Sequence, residues 1–165
     1  MLHVTDVIDN LPERDLIAWK LRVGLKEAQR VSQEALRVGD LVDRAIQVDL
    51  GFRQEPLTLT HPAVMTCLQN WQRFKERHLA LVTAVVATQE ELCDGEVVGH
   101  PDLTIDREGG GGFISLKTSR MTQHTHWAQE GGYLWLKRRL SPAHFAMRSS
   151  LPKTLSLSFL KSPSQ

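Results

Sequence analysis

Gly99-His100-Pro101-Asp102-Leu103-Thr104-Ile105 and, after the run Gly109-Gly110-Gly111-Gly112, Phe113-Ile114-Ser115-Leu116-Lys117-Thr118 form the stretch on which the reading of this chain turns. β-Branched and aromatic residues recur on both sides of the glycines. The spacing therefore predicts a hairpin, with strands over 96–105 and 112–118 and the four glycines as a flexible turn. Alternate residues of a strand share a face, so Ser115 and Lys117 point to one side, with Asp102 on the neighbouring strand. Metal-assisted cleavage of a phosphodiester needs carboxylates for a hard cation, a divalent ion to activate water, and positive charge near the attacked phosphate. Asp102 and Lys117 supply an acid and a cation from adjacent strands. Position 115, where a second acid is expected, carries a serine.

Working outward, residues 122–140 read as a helix with Gln129 and Tyr133 four apart on one face. Ser141-Pro142 marks a stop, 155–160 a last edge strand, and the end beyond it a frayed tail. Upstream, 78–87 is dense in β-branched residues and reads as a buried strand or the end of the preceding helix. Pro62 opens a helix through about Arg77, with Val64, Leu68, Trp71 and Phe74 on one side. From Lys26 to about Leu50, Ala28, Val31, Ala35, Val38, Leu41, Val42, Ala45 and Ile46 recur at three and four, as one buried helix face requires. Gly39 lies inside that pattern, where either the helix breaks or something approaches closely. Residues 15–23 form a shorter helix ended by Gly24, and 2–8 read as a short strand before the turn Asp9-Asn10-Leu11-Pro12.

Helices first, then a hairpin, then a helix predict an α/β fold with a central mixed β-sheet flanked by helices. The 165 residues are expected to form one domain: a helical part over about 1–78, the hairpin and its helix over about 79–140, and a tail over about 141–165. A net charge of +1 excludes a global basic field, so any nucleic-acid binding must rest on a local patch. Cys67 and Cys93 form no C-x-x-C pair, which excludes a four-cysteine zinc cluster and fits a reducing compartment. The N-terminus lacks a signal-peptide pattern and no run approaches the ~20 apolar residues of a membrane span. The expected location is cytoplasmic.

Taken together, these motifs resemble the PD-(D/E)XK nuclease superfamily, in particular its RecB-like branch and phage and mitochondrial exonucleases of that type. The resemblance runs over residues 4–133. Gly39-Asp40-Leu41-Val42-Asp43 resembles the family's G-x-x-x-H helix, with Asp43 where the histidine is expected. Gly99-His100-Pro101-Asp102 resembles the G-x-x-D motif, and Ser115-Leu116-Lys117-Thr118 the D-x-K-T strand with serine replacing the acid. Gln129 and Tyr133 match the Q-x-x-x-Y helix.

The resemblance implies a Mg²⁺- or Mn²⁺-dependent DNA nuclease of replication, recombination or repair, acting on single strands or free ends in a bacterial or phage-infected cell. Any helicase, polymerase or recombinase partner would act in trans. By that resemblance Asp43, Asp102, Glu90 or Glu91 and the main-chain carbonyl of Leu116 would hold the metal. Lys117 would position or activate water, and Gln129, Tyr133 and Arg120 would contact DNA. Ser115 removes a negative charge, which leaves three readings open: a degenerate nuclease, an engineered inactive form, or another acid reaching the site, with Glu90, Glu91 and Asp106 as candidates. The alternative function is a non-catalytic nucleic-acid-binding module.

Overall fold

Val38, Val42 and Ile46, spaced four residues apart, set the longest helix of the chain against its sheet. The computed structural model describes residues 1–9, 14–56, 58, 60–78, 84–107, 110–118, 124–140 and 154–158. In chain order these form β1 (Leu2–His3), α1 (Val4–Asp9), α2 (Arg14–Val23), α3 (Leu25–Asp49), α4 (Pro62–His78), β2 (Ala84–Thr88), β3 (Leu92–Cys93), β4 (Val97–Gly99), β5 (Leu103–Arg107), β6 (Gly110–Lys117), α5 (His124–Leu140) and β7 (Thr154–Ser158). The fold is mixed α/β.

Local chemistry explains the helix boundaries. The carboxylate of Asp6 accepts the His3 backbone N–H at 3.1 Å, the reciprocal half of a capping box, and starts α1 immediately after β1. This converts most of the strand expected over 2–8 into a helix, whose Val4 and Ile8, one turn apart, are buried. Gly24, at φ 87°, separates α2 from α3. Gly51, at φ 80°, ends α3, its N–H donating to the Val48 carbonyl at 3.0 Å. Gly39 does not break α3; a methyl there would lie 3.7 Å from the Thr118 hydroxyl, so the glycine marks where α3 runs past the end of β6. Ala35, expected on the buried face, is exposed, although Ala28, two turns earlier, is buried.

Two sheets replace the single central sheet that the sequence predicts. One has the order β1-β4-β3, the other β2-β5-β6-β7. The strand expected over 96–105 is two strands: β4 pairs with β1 and β3, and β5 pairs with β2 and β6. Pro101 is buried at the junction, and having no N–H it cannot continue a ladder. The β5/β6 hairpin runs from Leu103↔Ile114 to Arg107↔Gly110, so Gly110–Gly112 belong to β6 and not to its turn. β7 lies parallel to β6 at the sheet edge, from Phe113↔Thr154 to Lys117↔Ser158. Residues 79–83, at the centre of the ambiguous segment, and the expected stop at Ser141-Pro142 lie outside the described residues.

Helices cover both faces of the four-stranded sheet. On one, Val38, Val42 and Ile46 of α3 and Val64, Cys67, Trp71 and Phe74 of α4 meet Leu103, Ile105 and Ile114. On the other, Val4 and Ile8 of α1 and Tyr133 and Leu136 of α5 meet Phe113 of β6 and Leu92 of β3. Strand alternation sends Ile114 to the α3/α4 face and Phe113 to the α5 face, so Ser115 and Lys117 follow Phe113 toward α5. Among the described residues no helix is long and apolar enough to cross a membrane.

Candidate functional site

Asp102 sits where the chain leaves the small sheet and enters β5. Its Oδ2 accepts the Leu116 backbone N–H at 2.7 Å, tying the acid to the strand that carries Lys117. The Gln89 amide lies 3.5 Å from Oδ1, and the Gln89 backbone N–H donates to the Asp102 carbonyl at 3.2 Å. Gln89 holds this place with a φ of 51°, the one non-glycine residue of positive φ among those described. Asp102 keeps part of its surface in contact with solvent, yet dense protein surrounds its carboxylate. Burial raises its pKa, against the Lys117 charge, the Leu116 N–H and Gln89.

Asp43 reaches the same place from α3. Its pKa is raised by burial and by the Asp102 carboxylate, with Gln89, Gln47 and Arg53 pulling the other way. Gln47, one turn on, donates to Asp43 Oδ2 at 2.7 Å and accepts from Arg53 Nε at 2.6 Å. This relay fixes one oxygen of Asp43 and leaves Oδ1 buried without a partner.

On the other side of Lys117 stands α5. Lys117 Nζ donates to Gln129 Oε1 at 2.9 Å, and Gln129 Nε2 donates to the Tyr133 hydroxyl oxygen at 2.8 Å. Tyr133 is buried, and its ring meets Phe113 edge-on with centroids 6.3 Å apart. Burial and the charge of Asp102 push its phenol up to about 12, with Gln129 opposing. A methyl on Gly99 would come within 2.8 Å of the Tyr133 ring, so the glycine before His100 is what lets the phenol pack there. Burial and the nearby Lys117 charge lower the pKa of His126.

Glu130 is the site residue that sequence reasoning missed. It is 2% exposed and both carboxylate oxygens lack a hydrogen-bond partner. Burial raises its pKa, with a further push from Asp102, while the Lys117 charge and the adjacent Ser115 hydroxyl pull it down. Ser115 is 1% exposed, and although its Oγ lies beside Glu130 the pair does not reach hydrogen-bond geometry, so Oγ too is unsatisfied. A signal was present: Glu130 is three residues before Tyr133 and therefore shares its helix face.

The other expected ligands have different neighbours. Glu90 accepts from Lys137 Nζ at 2.9 and 3.1 Å and from the Thr104 hydroxyl at 2.7 Å. Glu91 is exposed and stands 3.6 Å from His100. Asp106 lies at the far end of the hairpin, opposite Gly111 and Ala84. Arg120 lies outside the described residues. Leu116, expected to offer its main-chain carbonyl, uses its N–H to donate to Asp102 Oδ2.

Asp43, Asp102, Glu130 and Lys117 thus interact electrostatically around the ends of β5 and β6. Among the described residues no three His, Cys, Asp or Glu side chains are placed to hold a metal ion together. Mg²⁺ does not require three: it is commonly held by one or two carboxylates together with waters and substrate phosphate oxygens. Asp43 Oδ1 and both Glu130 oxygens are buried without partners, and burial is the first cause of the raised carboxyl pKa values, with repulsion from Asp102 added to it. No protein-family model matches the chain, and no curated protein sequence matches it significantly.

Proposed function

We propose that this chain is a divalent-metal-dependent phosphodiesterase acting on DNA, with a PD-(D/E)XK-like core. The observation that carries the reading is the meeting of Asp102, Asp43 and Lys117 from three separate elements, with a buried carboxylate oxygen of Asp43 left unpartnered. Structural ion pairs are normally satisfied; buried acids held together with free lone pairs are a pattern of functional sites.

Asp102 and Asp43 would hold Mg²⁺ or Mn²⁺, which when bound supplies a Lewis acid for the phosphate and a more acidic water. The chain's own residues do the rest. Leu116 N–H and Gln89 aim Asp102, and the Gln47–Arg53 relay aims Asp43. Lys117, held by Gln129, places positive charge where a phosphate oxygen gains negative charge. Tyr133 remains protonated throughout the neutral range, since its phenol is pushed up to about 12, and it locks the Gln129 amide. Single strands or free ends are the proposed substrates, and the site contacts would be to the phosphate backbone.

Oligonucleotide cleavage in Mg²⁺ or Mn²⁺ tests this. Lys117→Ala is expected to lower cleavage by about 10²–10³-fold, the usual scale for losing one preorganised charge-stabilising group. Undiminished metal-dependent cleavage by that variant would remove the assignment. Ser115, at the expected second-acid position, favours a second reading: a nucleic-acid-binding module without turnover. DNA binding that weakens with salt but never leads to cutting would support it.

A further inference from the structure

The outward side of α5 takes no part in the site, yet it is aromatic. Trp127 is 57% exposed and Trp135 46% exposed, although tryptophan is highly buried on average. With Gly131 they occupy positions i, i+4 and i+8, one row along the helix, opposite the side that buries Glu130, Tyr133 and Leu136. We propose that this row is a docking surface for single-stranded nucleic acid, with the two indoles stacking on unpaired bases and Arg138 meeting the phosphate backbone. This rests on the reading of the chain as DNA-directed and names the form of DNA held and the place that holds it.

Trp135 is fixed as a platform. The Arg139 guanidinium lies over its ring, 4.9 Å from the centroid, and Arg139 Nη1 stands 2.9 Å from Asp94 Oδ2. Asp94 is itself held, its Oδ1 accepting the Glu96 and Val97 backbone N–H groups at 3.0 and 2.8 Å. The turn between β3 and β4 thus reaches across to orient an indole that remains open to solvent. An ordered ring, stacked on by arginine, is the type of surface on which bases of any sequence stack.

Gly131 is an independent sign. It is exposed, its φ is not positive, and a methyl there would meet nothing within 4 Å. Neither backbone conformation nor packing within the chain calls for glycine, which weakens a helix interior relative to alanine. A bare seat between two indoles lets a flat group lie against the helix, a use that lies outside the fold itself.

The charges match the same partner. Glu130 is the only acid of α5 and is buried, so no exposed residue of the helix is acidic. Lys137 is engaged by Glu90 and Arg139 by Asp94, which leaves Arg138 without an ion pair among the described residues. An anionic chain carrying planar rings fits this face. A duplex keeps its rings stacked on one another. A lipid surface takes a continuous apolar helix face, whereas these indoles stand about 12 Å apart along the axis with only Gly131 between them in the row.

Fluorescence anisotropy of a labelled oligodeoxythymidylate, titrated with the full chain in EDTA, reads binding without cleavage. Trp127→Ala and Trp135→Ala are each expected to weaken binding by about tenfold, and Trp135→Phe, which keeps a ring, to recover most of that loss. Arg138→Ala should lower the slope of log affinity against log salt by about 0.7, while the tryptophan variants leave the slope unchanged. Gly131→Gln should melt above wild type yet bind less tightly, opposite signs that separate a lost surface from a lost fold. Affinity indifferent to both tryptophans, equal affinity for a blunt duplex, or no oligonucleotide binding would each overturn the proposal, as would binding only to vesicles of phosphatidylglycerol and phosphatidylcholine. Metal-dependent, Lys117-dependent cleavage with affinity indifferent to the indoles would remove the row and keep the phosphodiesterase. Indole-dependent binding without any cleavage would do the reverse.

Discussion

Gly131 and Gly132 are neighbours in α5, and alanine should have opposite effects at the two positions. Neither has a positive φ, so no backbone strain attends either substitution. A methyl on Gly131 meets nothing within 4 Å. Gly131→Ala should therefore realise the helix-propensity difference, a gain of about 0.5–1 kcal/mol. A methyl on Gly132 would lie 2.7 Å from Val4 Cγ1 and 3.5 Å from Cγ2. Carbon–carbon contacts optimise near ~3.5–4.0 Å, so the overlap with Cγ1 is about 1 Å. Val4 is buried and its β-branched side chain is stiff at χ1, so α1 must move away from α5. Overpacking of this kind costs about 1–3 kcal/mol, from which the same propensity gain is subtracted. The two variants should thus differ by about 1–3 kcal/mol. At ~2–4 °C per kcal/mol for a domain of this size, Gly131→Ala melts about 2–3 °C above wild type and well above Gly132→Ala. Urea unfolding with an unchanged m-value gives the free energies directly. Val4→Ala should relieve Gly132→Ala, appearing as a favourable coupling in the double-mutant cycle. Equal stabilisation by both alanines would refute the α1–α5 contact and with it the seating of α5 over the site.

Other expectations follow from the same geometry. Gly99→Ala forces a methyl against the Tyr133 ring, so it should destabilise by about 1–3 kcal/mol and change the ultraviolet signal of the chain's one tyrosine; an unperturbed tyrosine spectrum would be inconsistent with the packing described. Asp43, Asp102 and Glu130 all have raised pKa values, so the folded state holds more protons than the unfolded chain above the ordinary carboxylate pKa of ~4. Stability of metal-free protein should therefore fall as pH rises from weakly acid toward neutral, and Glu130→Gln should raise the melting temperature near neutrality with a gain that shrinks on acidification. A melting curve flat over that interval in wild type would count against the cluster. Burial pushes the Cys67 thiol up to about 11, whereas Cys93 is only half-buried; thiol reagents should modify Cys93 in native protein and Cys67 only on unfolding, which mass mapping of the adducts would check.

The extent to which the site was legible differs from residue to residue. Helical periodicity placed α3 and α4 nearly to their ends, because one apolar face at three- and four-residue spacing must be buried whatever lies opposite. Of the α3 positions expected to be buried, only Ala35 is exposed. Strand alternation put Ser115 and Lys117 on one face, and the i, i+4 relation put Gln129 and Tyr133 on another, facing it. The break at Pro101 was harder to see, since the strand signal on either side is continuous and the two halves differ only in their partners.

What the amino-acid sequence by itself determined is the inventory and its local geometry: which acid precedes which strand, which lysine shares a face with Ser115, and which helix carries the glutamine and tyrosine. These depend on periods of 2 and 3.6 residues, which a linear chain carries in full. Only the tertiary structure decided which acids have oxygens to spare. Glu90 and Glu130 look alike as letters, but Lys137 and Thr104 satisfy one while α5 buries the other unpaired beside Ser115. Burial and hydrogen-bond satisfaction are set by residues distant along the chain, so the serine that reads as a gap in the sequence is, in the fold, the space beside a glutamate.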